Sequence, residues 1–73
     1  MGERAQLAEA VARRYSALRL HLDERQRRLL LGTEAVEVGW GGVKAVAAAT
    51  GAHPDTVARG KREIEGQPHE PAL

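Results

Sequence analysis

The chain has 73 residues, 11 Lys+Arg against 10 Asp+Glu, a net charge of +1, one Trp, one Tyr, no Phe and no Cys. That length allows one domain, which buries only about 60–65% of its unfolded surface and so has a thin stability margin. Without cysteine there are no disulfides or thiolate metal sites, and a core restricted to Leu, Val and Ala favours packed helices over a β-sandwich.

Three scattered histidines, His21, His53 and His69, make no metal-ligand spacing. No signal peptide and no run of ~20 apolar residues is present, so a cytoplasmic, nucleoid-associated protein is expected. The near-neutral balance is low for a free-standing DNA-binding domain, but the bases cluster at Arg25, Arg27 and Arg28 and again at Arg59, Lys61 and Arg62. The acids concentrate at Glu34 and Glu37 and at the ends of the chain.

Taken in order, Leu7, Val11, Tyr15 and Leu18 recur at helical intervals and predict a first amphipathic helix over 4–20. Its stripe suits packing on the core, or pairing with a second copy as a homodimer. Leu20-His21-Leu22 is a connector. Asp23 then caps a second helix, with Gln26 placed to complete a capping box. That helix runs to Val38, with Leu31, Ala35 and Val38 on one stripe and Arg25, Arg27 and Arg28 on a polar flank. The basic flank is either a solvated face or a contact with phosphate backbone.

Gly39-Trp40-Gly41-Gly42 makes a sharp corner. No phosphate-loop signature accompanies it. Trp40 is expected to cover the hydrophobic seam beside the corner, its indole N–H reaching solvent or a carbonyl.

Residues 43–64 read as two short helices around a tight turn. Gly51 can take a positive φ and stop the first. Pro54 fits the first turn of the second, and Asp55 puts a negative charge at its positive end. Val43, Val46 and Ala47, with Ala52 at the turn and Val57 and Ile64 beyond it, supply inward positions. Ala47 is the small residue at the crossing. Between Val57 and Ile64 the inward position falls on Gly60 or Lys61; Gly60 costs about 1 kcal/mol in a helix interior but lets a neighbouring helix approach. This is the layout of a helix-turn-helix, whose second helix enters the DNA major groove. An ordinary helical hairpin is the alternative.

The expected fold is therefore all-α: a small four-helix domain over 1–65 containing a helix-turn-helix, followed by a disordered tail or linker over 66–73, where Gly66, Pro68 and Pro71 interrupt any periodicity.

Several stretches also resemble a known family. Leu22-Asp23-Glu24-Arg25-Gln26-Arg27-Arg28-Leu29-Leu30, Gly41-Gly42-Val43 through Val46-Ala47 to Ala49-Thr50-Gly51, then Thr56-Val57, Arg59-Gly60 and Arg62-Glu63-Ile64 are similar to the N-terminal region of Rhodopirellula-type DDE insertion-sequence transposases. Tyr15-Ser16-Ala17-Leu18-Arg19 fits too, so the likeness spans roughly 14–65. It implies a segment that recognises transposon ends, as in a remnant of such a gene. Nothing matches the family's nuclease domain, so no catalysis is implied. The chain departs from the family pattern at His53, Pro54, Ala58 and Lys61.

The resulting expectation is sequence-directed binding to double-stranded DNA, without cofactor or metal. The outward residues of the last helix are Asp55, Thr56, Ala58, Arg59 and Arg62. Arg59 is the candidate for a base-edge contact, since arginine pairs bidentately with guanine. Asp55 and Thr56 would meet bases or phosphates, and Arg62, Lys44 and Lys61 would position the protein on phosphates. The competing reading is a helical interaction or dimerisation module using the Leu7/Val11/Tyr15/Leu18 stripe; a helix-turn-helix transcription regulator is a further variant. No paired catalytic carboxylates, nucleophile constellation or cofactor loop supports an enzyme.

Overall fold

The structure, a computed structural model, describes residues 2–67, and the side chains of 5–67. The described residues form four α-helices and no strand: α1, Gly2–Leu18; α2, Glu24–Val38; α3, Gly42–Thr50; and α4, Pro54–Glu65. From residue 68 on, the expected tail lies outside the described residues. Gly66 and Gln67 close α4 with a turn, their N–H groups donating to Arg62 and Ile64 carbonyls at 3.0 and 3.2 Å.

The local signals explain most boundaries. Asp23 accepts from the Gln26 N–H at 2.7 Å, and the Gln26 side chain accepts from the Asp23 N–H at 2.9 Å, which is the reciprocal capping box. Gly51 stops α3 at φ 79°, donating its N–H to the Ala47 carbonyl at 2.9 Å. The Thr50 hydroxyl extends this stop into the turn: it donates to the Val46 carbonyl and accepts from the Ala52 N–H. His53 caps α4 by accepting the Asp55 N–H on Nδ1 at 3.0 Å, with Pro54 in the first turn. The first helix departs from expectation. It leaves α geometry after Leu18 and continues as a 3-10 turn, Arg19–His21, before Leu22 extends into the Asp23 cap.

The core is Val11, Leu31, Ala35, Val46, Ala47 and Val57, with Tyr15, Val38, Val43, Ala49 and Ala52 packed around it. Leu31, Val46 and Val57 are the largest fully buried side chains, each stabilising by roughly 1.5–3 kcal/mol. Helix α4 lies mainly on α2, and α1 mainly on α3. Half of the predicted α1 stripe therefore stays outside: Val11 is buried and Tyr15 joins the core, but Leu7 and Leu18 are exposed.

One further expectation is corrected. Trp40 does not cover the seam; it is 92% exposed, because the chain carries it outward between Gly39 and Gly41, both at positive φ. Glu34 is buried, and Arg14 of α1 reaches it with both Nε and Nη2, at 2.5 and 2.7 Å. That pair compensates the cost of taking the carboxylate out of water.

Candidate nucleic-acid interface

Helix α4 is sorted by its own periodicity. Val57 and Gly60 are buried, and Ile64 is half-buried on the same side. Asp55, Arg59 and Arg62, at i, i+4 and i+7, form an exposed stripe on the other side. Thr56 is exposed beside it and edges a hollow shared with Tyr15, Glu24, Arg27 and Arg28. Ala58 is half-buried. Lys61 lies on a different flank, near Trp40 and Val36, 3.8 Å from Glu65 one turn on. Lys44 is exposed in the first turn of α3. The seven residues expected from sequence thus divide: Asp55, Thr56, Arg59 and Arg62 are exposed on α4, Ala58 is half-buried next to Arg62 on the helix, Lys61 lies on another flank, and Lys44 is on α3.

The orientation of α4 comes from its contact with α2. A Cβ added to Gly60 would run into the Arg28 carbonyl, and one added to Gly32 would run into the backbone of Gly60 and Lys61. The two helices therefore touch backbone to backbone, which only glycine permits. Beside the crossing, Arg28 donates from Nε and Nη2 to the Glu63 carboxylate at 2.6 and 3.1 Å. This two-point pair is largely enclosed on the arginine side, 14% exposed, and 34% exposed on the glutamate side.

The pair settles the fate of the basic flank of α2. Arg28 is not simply solvated; it is paired with Glu63. Arg25 remains exposed, and Arg27 is half-buried against the start of its own helix. The Arg28 hydrogen bond holds the Glu63 carboxyl below its ordinary value; burial opposes this, and the charges of Arg28, Arg59 and Arg25 reinforce it. Arg25 of α2 and Arg59 of α4 thus bear on the same carboxylate from two helices. The Arg28 guanidinium is in turn raised by its Glu63 hydrogen bond, against burial, with help from the charges of Glu63, Glu24 and Asp23. The surface mixes signs, in keeping with a chain of net charge +1.

Sequence reasoning named Arg59 and Arg62 but missed Glu63, whose partner lies 35 residues away in the chain. The only local hint was Gly60, read as a point of close approach without its counterpart Gly32. Among the described residues, no group of His, Asp and Glu is arranged to hold a metal ion, and no helix is long and apolar enough to cross a membrane. No protein-family model, curated protein or solved structure matches the chain.

Proposed function

We propose that this chain binds double-stranded DNA in a sequence-directed way, with 43–64 acting as a helix-turn-helix and α4 as the helix that enters the major groove. The observation that carries this reading is the division of α4: Val57 is fully buried while Asp55, Arg59 and Arg62 project together into solvent. The three-residue connection at 51–53 suits the motif, and the resemblance to the end-recognition region of insertion-sequence transposases points the same way. Arg59 reads a base edge; Arg62 and Lys44 meet phosphates. The chain would then work at the nucleoid as a DNA-end-recognition segment. A titration of Arg59→Ala against a selected duplex and a random one tests the assignment. The expected loss is about 1–3 kcal/mol on the selected duplex and less on the random one. Equal losses reduce Arg59 to a backbone contact, and no loss removes it from the interface.

A second reading has its own observation. An open apolar groove of about 420 Å³ lies between α1 and α3, lined by Ala5, Leu7, Ala8, Val11, Val38 and alanines of α3. Such a surface suits a homodimer through the first helix, which is compatible with DNA binding because helix-turn-helix proteins commonly bind as dimers. Light scattering across a concentration series separates the readings: a concentration-independent monomer that still shifts DNA argues against the dimer.

A further inference from the structure

A crossing made of two bare glycines holds two helices close but offers little side-chain interlock against rotation or sliding. At the Gly32–Gly60 contact, that interlock comes from beside the crossing. Among the described residues, Arg28–Glu63 is the one ion pair that joins α2 to α4. A planar guanidinium meeting a carboxylate at two points fixes an angle as well as a distance. Glu63 follows Arg59 by one turn and is the neighbour of Arg62. Whatever fixes Glu63 therefore fixes the stretch of α4 backbone that carries both exposed arginines.

We infer that Glu63 is a positioning residue for DNA recognition: it locks α4 to α2 through Arg28, and it withholds Arg28 from the phosphate backbone. The inference rests on the DNA-binding reading of α4. Glu63 does not read a base in this scheme. It acts through Arg28 on the aim of Arg59 and Arg62. Its second effect is on non-specific affinity. With Glu63 neutralised, Arg28 would join Arg25, Arg62 and Lys44 as a further cation free to meet any phosphate, so random DNA would be held more tightly while the aim of α4 loosened.

The test uses Glu63→Gln and Arg28→Gln in the whole chain, with circular dichroism to verify folding. Each is titrated over a salt series against a duplex selected by the wild-type protein from a randomised pool and against a random duplex of equal length. Both variants break the lock, so in both the selected-over-random affinity ratio should fall about fivefold or more. Only Glu63→Gln frees a cation, so only it should bind random duplex more tightly, with a salt slope steeper by about one. Arg28→Gln carries the ratio arm by itself if Glu63→Gln does not fold. An unchanged ratio in the folded variants overturns the inference. So does a parallel loss on both duplexes, which is the mark of a merely structural role. If the wild-type protein binds neither duplex, the DNA reading itself has failed, and that result is distinct from either of the others.

Discussion

Gly32 and Gly60 meet backbone to backbone where α2 crosses α4, and neither has room for a methyl group. Helix propensity alone says that Gly60→Ala should stabilise α4 by about 1 kcal/mol. The neighbouring atom is a carbonyl of the Arg28 backbone, not the end of a flexible side chain. Forcing the helices apart costs about 1–3 kcal/mol or more, and it also spoils the Arg28–Glu63 geometry. With the propensity gain subtracted, Gly60→Ala should still destabilise the protein by about 1–2 kcal/mol, a large share of what a domain of this size has. Thermal unfolding should show a midpoint lowered by about 5–10 °C. A raised midpoint would mean that the helices are not in backbone contact.

Gly51 makes the opposite case. A Cβ there would meet nothing within 4 Å, so the constraint is the φ of 79° alone. Gly51→Ala should cost about 1–2 kcal/mol, and Gly51→Asn less, since asparagine tolerates that conformation. Denaturant midpoints for the two variants should fall in that order. Equal losses would place the cause in packing rather than in φ.

The contrast between these two glycines shows what the sequence could disclose. Gly51 announces itself locally: an apolar helix ends before it, and Pro54 and Asp55 open another after it. The capping box at Asp23 and Gln26 and the inward turn of Val57 are legible for the same reason, because the determining residues lie within a turn of one another. Gly32 sits in mid-helix and is meaningful only against Gly60, on another element. Arg28 looked like one of three equivalent bases until its partner, 35 residues away, came beside it. The pairing of Glu34 is illegible for the same reason, its partner Arg14 being 20 residues off. Trp40 is expected to cover the seam beside the corner, yet two flanking glycines at positive φ turn it outward. His53 proves to cap α4 through Nδ1, a role that small polar residues also fill.

The capping box gives a modest prediction. Asp23→Ala removes the acceptor for the Gln26 N–H, so it should cost about 1 kcal/mol. Asp23→Ser should recover most of that. Urea unfolding resolves the difference. A neutral Asp23→Ala would indicate that tertiary packing on α4 holds the start of α2 without help.

The ion pair predicts an acid dependence. The Arg28 hydrogen bond holds the folded-state Glu63 carboxyl below its ordinary value of 4.5. The stabilisation is therefore fully present above that ordinary value, and it is lost as pH falls through the lowered folded-state value. Wild type should exceed Glu63→Gln in unfolding midpoint at about pH 7, and the gap should close only on the acid side of the ordinary carboxylate range. A gap of constant size down to about pH 2 would assign the difference to packing instead of charge.

Selection of duplexes from a randomised pool at physiological salt puts the DNA reading of α4 at risk most directly. The expected result is a recovered consensus whose enrichment disappears in Arg59→Ala. A pool that stays random after repeated rounds, or a consensus that Arg59→Ala enriches equally well, would contradict it.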